Sequence, residues 1–259
     1  WDAVINWGDS WSYWPGTSAP ILNWDDPGTD VSNWSTGPSG FGYGDNDDNT
    51  ELSQIISVFA RKTFQIDDPT MITKALFHID YDDGYIAYLN GEEFSRRNMG
   101  EPNTQVYYNE TTTGLHEAEI YSGGFPEEIS IDLNEFPIVS GDNTLAVEVH
   151  NYNTSSSDLS CIPFLTLGYN SVIDNVTEPH QLMVLPSSYL HTNFKLSSNG
   201  DDLILSDQDE NVIDSIFTGT LETDMSFGRY FETSSWVLFA EPTPGSSNST
   251  SSYAGALSP

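Results

Sequence analysis

Acidic side chains in two short loops are spaced so that they could bind a metal ion. Oxygen donors alternate at Asp45, Asp47 and Asn49, and calcium prefers such hard oxygen ligands. The glycine and the glutamate that complete an EF-hand loop are missing, so a solvated acidic turn is the alternative. Asp82 and Asp83 form a second acidic set. The sequence therefore predicts calcium as a cofactor, with these five residues as candidate ligands.

The second acidic set raises a problem of charge. Asp80, Asp82 and Asp83 lie within four residues and repel one another unless a cation intervenes. Arg96 and Arg97 follow the next predicted turn, and two adjacent arginines among only 7 basic residues are expected to have a partner. We predict that Arg97 pairs with this acidic group. A metal ion there, or recognition of a ligand by Arg97, is the alternative.

A second candidate site consists of aromatic and planar polar residues. Sugar recognition needs a flat ring against the C–H face of the sugar and polar side chains around it. The candidates in this chain are Tyr85, Arg97, Asn98, His150 and Asn151. Aromatic residues of a β-sandwich are more often part of the core, which is the alternative for Tyr85.

One pair of residues resembles part of an acid–base site. Glu148 and His150 lie on the same face of a predicted strand, about 7 Å apart. Asp158 follows in a nearby loop, but the sequence contains no nucleophile motif that would complete a hydrolase. We therefore predict no catalytic residues and no enzyme activity, and we expect His150 and Asn151 to close a structural polar network.

The composition limits the classes of partner. The 259 residues carry 39 acidic and 7 basic side chains, for a formal net charge of −32. Nucleic acid and anionic membrane surfaces are disfavoured because clustered lysines and arginines are missing. No apolar run is long enough to insert into a membrane. Cys161 is the single cysteine, so no intramolecular disulfide can form. This acidic, Ser/Thr-rich composition favours an extracellular or cell-surface protein whose targeting peptide is absent or already removed.

The hydrophobic pattern predicts β-strands. Leu145, Val147 and Val149 alternate with polar or small residues, which is typical of a strand with one buried face. The pair Asn90–Gly91 separates two such runs and is a strong signal for a tight hairpin. A further hairpin is predicted across 203–216. Many short strands with regular turns indicate an all-β fold of the sandwich type.

Six of the seven tryptophans lie within the first 34 residues, among Gly, Pro, Ser and Asp. They could form a surface on which carbohydrate stacks, or they could plug an open end of the sandwich. We divide the chain into residues 1–170, a connector 171–181, a second β domain 182–245 and a Ser/Thr-rich tail or linker 246–259.

The first block resembles a galactose-binding-like jelly-roll module. The resemblance rests on the motif DDGYIAYLNGE at 82–92 and on residues 40–45, 58–64, 97–98, 146–151 and 156–159. It implies a jelly-roll β-sandwich in the accessory region of a secreted protein, such as those of Bacteroidota.

The second block resembles the later half of a lamin-tail domain, a small immunoglobulin-like β-sandwich. The resemblance rests on residues 191–197, 200, 203–207, 214, 226–229, 236, 242–245 and 248. The front half of that domain is missing from the chain. In secreted proteins of this type the pair of modules often precedes a spore-coat-H-like kinase domain, and no kinase motif occurs here, so the resemblance implies a non-catalytic accessory region.

Three hypotheses about function follow. The first is an extracellular, non-catalytic binding or adhesion region that binds glycans or neighbouring protein modules with calcium support. The second is a structural subunit of an extracellular assembly or filament, in which identical copies complete each other's sheets by strand exchange. The third is an accessory fragment of a larger enzyme whose catalytic domain lies outside these residues.

Overall fold

The chain is built from β-strands that form two compact units, Trp1–Val184 and Leu185–Pro259. The computed structural model describes residues 1–171, 173, 175–183, 185, 196–197, 199–207, 211–220, 225–230, 233, 235–241, 243, 247–248 and 252–253. The predicted all-β architecture with a β-sandwich is confirmed. The first unit ends close to the predicted connector.

One six-stranded sheet of the first unit has the order β10-β7-β12-β4-β5, and β1 also pairs with β12. All of these pairs are antiparallel except β4–β5. The strands are β1 Asp2–Ile5, β4 Phe41–Tyr43, β5 Thr50–Glu51, β7 Ile72–Tyr81, β10 Glu127–Ile131 and β12 Leu159–Tyr169.

The other six-stranded sheet is antiparallel throughout and has the order β3-β2-β6-β11-β8-β9. Its strands are β2 Ser10–Pro15, β3 Ser35–Pro38, β6 Ser57–Ile66, β8 Gly84–Leu89, β9 Glu92–Arg97 and β11 Gly141–His150. Two short 3-10 helices, Pro69–Met71 and Ile120–Ser122, lie in the connections. Asn90 and Gly91 both have positive φ at the β8–β9 turn, as predicted for this hairpin.

The two sheets share one apolar core. Leu145, Val147 and Val149 of β11 face inward and are fully buried with Phe77 and Ile79 of β7. Because side chains alternate along a strand, Ala146, Glu148 and His150 lie on the opposite face of β11. The alternation read from the sequence therefore separates core positions from the outer face of the second sheet, where the cleft described below lies.

The tryptophan-rich segment covers that outer face instead of plugging an end of the sandwich. Trp24 and Trp34 are buried there, with ring centroids 5.9 Å apart, and they pack against Phe59 and Ala146. Trp11, in contrast, belongs to the core between the sheets. Both predictions from the sequence treated the tryptophans as one group. In the structure Trp11, on β2, belongs to the core, whereas Trp24 and Trp34 lie on the outer face of the sheet.

In the second unit, β13 (Asp202–Ser206) pairs with β14 (Val212–Phe217). A three-stranded sheet consists of β15 (Ser226–Arg229), β16 (Trp236–Phe239) and β17 (Ser252–Tyr253). The strand β17 lies within the predicted tail or linker, so part of that segment pairs with a sheet. Residues 191–195, which carry much of the lamin-tail resemblance, lie outside the described residues, and the lamin-tail assignment stays a prediction.

An ion pair connects the two sheets of the second unit. Arg229 Nη2 lies 2.8 Å from Asp214 Oδ2, and the guanidinium of Arg229 lies 5.0 Å from the centre of the Trp236 ring. A helix long and apolar enough to cross a membrane does not occur in the described part of the chain.

Candidate functional site

A loop of the first unit brings three carboxylates together between β4 and β5. Asp45, Asp47 and Asp48 each place one carboxylate oxygen within 4.8 Å of the others. Asn46 has a φ of 67°, a left-handed conformation that Asn tolerates better than most residues. We call Asp45, Asp47 and Asp48 the open carboxylate group.

Most oxygens of the open carboxylate group are buried without a hydrogen-bond partner. These are Asp45 Oδ1, both oxygens of Asp47 and Asp48 Oδ1. The other oxygen of Asp45 accepts a hydrogen bond from the Ser160 hydroxyl at 2.8 Å. Buried polar atoms in proteins are nearly always paired, so unpaired oxygens that converge on one place fit a bound cation.

The pKa values of this group reflect burial and the repulsion between neighbouring carboxylates. Burial, together with Asp45 and Asp80, raises the pKa of Asp47 to about 7. Burial, followed by the charges of Asp45, Asp47 and Glu51, raises the pKa of Asp48 to about 8. A divalent cation would replace protons at these carboxylates, and an all-oxygen donor set suits calcium.

The structure changes the predicted ligand set at this loop. Asp45 and Asp47 lie in the open carboxylate group as the sequence suggests. Asn49 is exposed, and its side-chain amide donates to the carbonyl of Ser39 at 2.8 Å. The neighbouring Asp48, which sequence reasoning did not select, supplies the third carboxylate. A strict alternation of donors missed it because the turn at Asn46 alters the direction of the following side chains.

The second predicted metal set separates into two kinds of carboxylate. Asp82 lies with Glu117 and Asp158, one oxygen of each within 4.8 Å of the others, and burial raises the pKa of Asp82 to about 8. Asp83 instead accepts backbone N–H groups at both oxygens, from His116 at 3.0 Å and from Tyr152 at 2.7 Å. The partners of Asp83 give it a structural role in holding two loops.

Asp80 has the same kind of environment as Asp83. It is buried, and its two oxygens accept the backbone N–H groups of Glu119 at 2.8 Å and Ile120 at 2.9 Å. Burial nevertheless raises the pKa of Asp80 more than these hydrogen bonds lower it. We call Asp80 and Asp83 the capped carboxylates.

The predicted pairing of Arg97 with the acidic group 80–83 is wrong. Arg97 Nη2 lies 2.7 Å from Glu127 Oε1, where β10 begins. Arg96 forms two hydrogen bonds with Glu93, at 2.9 and 2.7 Å. The register of β8 and β9 places Arg97 opposite Tyr85, and the negative charge within its reach there is Glu127.

The predicted sugar-binding residues do not form one accessible surface. Tyr85, His150 and Asn151 are fully buried. The Tyr85 hydroxyl lies 2.7 Å from Ser95 Oγ, and the Asn151 amide donates to the Tyr43 hydroxyl at 2.9 Å. These side chains stabilise the fold, and a ligand could not reach them. Asn98 donates to the carbonyl of Asp83 at 2.8 Å, and Arg97 remains partly exposed.

Glu148 and His150 form a continuous hydrogen-bonded network with Tyr88. The Tyr88 hydroxyl donates to Glu148 Oε1 at 2.7 Å, and His150 Nε2 lies 3.0 Å from Glu148 Oε2. His150 Nδ1 lies 2.9 Å from the carbonyl oxygen of Glu110, which can only accept, so Nδ1 carries a proton. The contact between Nε2 and Glu148 Oε2 completes the network. Burial and the Glu148 charge raise the pKa of Tyr88.

A cleft of about 560 Å³ opens on the outer face of the second sheet. Its walls are the segments 19–25 and 103–108, and its floor includes Tyr88 and Glu148. We call it the outer-face cleft. Sequence reasoning missed it, although the tryptophan-rich segment and the pair Tyr107–Tyr108 contain the aromatic residues of its walls.

Two arginines hold the walls of the outer-face cleft in place. The buried Arg61 side chain donates to the carbonyls of Trp24 at 2.9 Å and Thr29 at 3.2 Å. Arg96 donates to the carbonyls of Met99 at 2.7 Å and Thr104 at 2.9 Å. Each loop is therefore attached through its backbone.

The second unit has a shallow site of a different kind. A cavity of about 610 Å³ is lined by β13 and β14 together with Leu196 and Trp236. Apolar side chains on the hairpin are exposed, including Ile204 at 63% and Val212 at 62%. The strand-exchange hypothesis stays a prediction.

Comparisons with known proteins identify no family. No protein-family model matches the chain, and neither does any curated protein. The similar solved structures include a calcium-binding mutant of Bacteroides uniformis β-glucuronidase 2, with 14% identity and a TM-score of 0.39 over 61% of this chain and 17% of that one. A glycosyl hydrolase family 2 member from Bacteroides cellulosilyticus has 12% identity and a TM-score of 0.40, over 64% and 20% of the two chains.

An uncultured Clostridium sp. β-glucuronidase has 12% identity and a TM-score of 0.42, over 92% of this chain and 42% of that one. The chain thus spans between 17% and 42% of the length of these three enzymes. The third hypothesis from the sequence, an accessory region of a larger enzyme, stays a prediction. At these low TM-scores the likeness carries no argument about the activity of this chain.

Proposed function

We propose that the unit Trp1–Val184 is a non-catalytic, calcium-supported β-sandwich that binds carbohydrate within an extracellular protein. The observation that carries this proposal is the outer-face cleft, which combines aromatic walls with carboxyl groups on its floor. Its volume lies within the range of about 300–1,000 Å³ that is typical of sites for small ligands. Sugar recognition uses this combination of flat rings and hydrogen-bonding groups.

Calcium has a supporting role in this proposal. The open carboxylate group offers four buried oxygens without partners, and the capped carboxylates beside it obtain theirs from the backbone. A bound calcium ion would join the β4–β5 loop to β12 through Asp45 and its partner Ser160. It would thereby stabilise the sandwich rather than contact the sugar.

We propose that the unit has no catalytic activity because the acid–base candidates Glu148 and His150 already form hydrogen bonds within the fold. Both oxygens of Glu148 have hydrogen-bond partners, and both ring nitrogens of His150 are within hydrogen-bonding distance of Glu148 or a backbone carbonyl. A general base needs a free acceptor within reach of its substrate. The same binding role suits an accessory region of a larger carbohydrate-active enzyme, whose catalytic domain would lie outside these residues.

Polysaccharide depletion tests this proposal. The full chain is mixed with insoluble chitin, chitosan, cellulose and polygalacturonate in calcium or in EDTA, and unbound protein is measured. We expect at least one polysaccharide to deplete the protein, and Tyr107→Ala to weaken this binding. Tyr121→Ala is the matched control, because Tyr121 is an exposed tyrosine outside the cleft. Failure of every polysaccharide to bind in calcium would contradict the carbohydrate role.

A second candidate function is assembly through the second unit. Leu205, Ile213 and Phe217 join Ile204 and Val212 as exposed apolar side chains on β13 and β14. Within the described residues this hairpin pairs with no other strand, and an unpaired strand edge is a template for strand addition. Mass photometry of the full chain should then show oligomers that Ile213→Lys removes. A monomer at all concentrations would contradict assembly.

A further inference from the structure

The floor and rim of the outer-face cleft carry more negative than positive charge. Asp25, Glu92, Glu93 and Glu148 line it, together with a single cation, Arg96. Arg96 is already paired with Glu93 through two hydrogen bonds, and both oxygens of Glu148 are engaged by Tyr88 and His150. Asp25 and Glu92 form no ion pair within the described residues. Arg61 partly offsets the charge of Asp25, so the cleft presents an excess of carboxylate charge to a ligand.

The buried part of this charge is costly for the protein. Burial raises the pKa of Asp25, and the charges of Asp26 and Glu148 raise it further, while a backbone hydrogen bond and the Arg61 charge oppose this rise. The chain as a whole has a formal charge of −32, so the field around the cleft adds to the same effect. A positively charged ligand would relieve this repulsion, and an anionic ligand would increase it.

The walls of the cleft combine aromatic and apolar side chains with polar ones. Trp24 stacks on Trp34 and meets the Tyr88 ring edge-on at 5.7 Å, so its position is fixed. Tyr107 is 61% exposed and Leu22 is 82% exposed, one on each of the two wall segments. Aromatic faces attract cations as well as the C–H faces of sugar rings.

We propose that the outer-face cleft binds saccharides that carry protonated amines, which means amino-sugar units of the glucosamine type. This inference rests on the proposed carbohydrate-binding function and specifies its ligand. The ammonium group lies against Asp25 and Glu92, and the sugar ring lies between the walls formed by Leu22 and Tyr107. Uronic acid sugars are excluded because their carboxylates meet carboxylates.

Three oligosaccharides of equal length separate the possible ligands. Calorimetric titration of the full chain in calcium compares a chitosan oligomer, a chitin oligomer and a galacturonate oligomer, whose units carry an amine, a neutral acetamide and a carboxylate. We expect the chitosan oligomer to bind at least about tenfold more tightly than the chitin oligomer, a difference of about 1.4 kcal/mol. We expect no binding of the galacturonate oligomer.

Two substitutions connect this preference to the cleft. Glu92→Gln should lower the affinity for the chitosan oligomer severalfold and leave affinity for the chitin oligomer unchanged. Glu135→Gln removes an exposed carboxylate outside the cleft and is the matched control. Added salt should weaken chitosan binding, because ions screen exposed charges. Melting temperatures of both variants verify that they are folded.

The outcomes distinguish this inference from the proposed function. Equal affinity for the chitosan and chitin oligomers, or tight binding of the galacturonate oligomer, would overturn the inference while carbohydrate binding stands. Spermidine, an amine without a sugar ring, serves as a further probe, and affinity equal to that of the chitosan oligomer would also overturn it. If no polysaccharide binds in the depletion experiment, both proposals fail together.

Discussion

Two groups of aspartates in the first unit have the same chemistry and opposite environments. The capped carboxylates Asp80 and Asp83 each accept two backbone N–H groups. The open carboxylate group, by contrast, has buried oxygens with no partner. The two groups are close enough for the charge of Asp80 to raise the pKa of Asp47.

The difference shows that burial alone does not define a metal ligand. An aspartate whose oxygens are saturated by backbone donors has completed its hydrogen bonding within the fold, and its removal leaves unpaired donors. An aspartate whose buried oxygens have no partner carries an uncompensated charge that only a proton or a cation can neutralise. Substitutions in the two groups should therefore have effects of different size and even of opposite sign.

The largest effect is expected at a capped carboxylate. Asp80→Ala leaves the N–H groups of Glu119 and Ile120 without their acceptor, and we expect a loss of about 3–4 kcal/mol in the free energy of unfolding. Denaturant titration should show this loss in both calcium and EDTA, and a somewhat larger one in calcium, because the Asp80 charge acts on Asp47. Asp142→Ala, at an exposed aspartate, is the control and should change stability by less than about 0.5 kcal/mol. A similarly small effect for Asp80→Ala would remove the distinction between the groups.

Removal of calcium is expected to have the next largest effect. Saturating calcium should stabilise the first unit by about 2–3 kcal/mol if its concentration is about a hundredfold above the dissociation constant. Scanning calorimetry in EDTA should accordingly show a melting temperature several degrees lower. Magnesium should restore less of this loss, because it demands stricter geometry and retains its water. Identical melting curves with calcium and EDTA would refute the cation site.

A substitution in the open carboxylate group should change sign with calcium. Asp47→Asn removes a buried negative charge, so in EDTA at pH 8 we expect a gain of about 1 kcal/mol. In calcium the variant should lose the stabilisation that the ion gives the unsubstituted protein. Asn49→Ala is the matched control, because the sequence predicted Asn49 as a calcium ligand. This variant should still be stabilised by calcium, since the Asn49 amide donates to the Ser39 carbonyl instead. Destabilisation by Asp47→Asn in EDTA would contradict this account.

The pH dependence in EDTA follows from the same group. The pKa values of Asp47 and Asp48 are raised from 3.8 to about 7 and about 8, so the folded state binds protons more tightly than the unfolded state. Their contribution is fully present below about pH 4 and is lost as pH rises through 7 and 8. The melting temperature in EDTA should therefore fall across this range, and less so in Asp47→Asn. Calcium should have its largest effect above pH 8.

The smallest effect is expected at Arg97. Its ion pair with Glu127 is exposed to solvent, with the two side chains 45% and 30% accessible. Exposed pairs contribute about 0.2–1 kcal/mol, so Arg97→Ala should cost no more than this in denaturant titration. A loss of several kcal/mol would show that the guanidinium does support the acidic residues 80–83, as the sequence suggested.

The strands could be predicted because their signals are local. The alternation at 145–149 and the turn Asn90–Gly91 require only neighbouring residues, and both predictions are confirmed. The contact between Glu148 and His150 also follows from their spacing on one strand. The sequence could not distinguish the core residue Trp11 from the outer-face residues Trp24 and Trp34. Their burial depends on the pairing of β2 and on contacts with the distant Phe59.

The site depends on distant partners, which explains why the sequence located it only in part. The sequence predicts Asp83 as a metal ligand, but in the structure its oxygens accept the backbone N–H groups of His116 and Tyr152. Arg97 finds Glu127 thirty residues later, since strand pairing and not sequence proximity decides what lies near it. Which carboxylates remain unpaired is a property of the whole fold.

The way in which Arg61 and Arg96 hold their loops has a consequence for how this protein could diversify. Both arginines bind main-chain carbonyls, which every amino acid possesses. The side chains of residues 19–22 and 105–107 can therefore be exchanged without removing the attachment of either loop. A library of variants randomised at these positions would keep the fold of the first unit. Selection from this library could yield variants with new binding specificities.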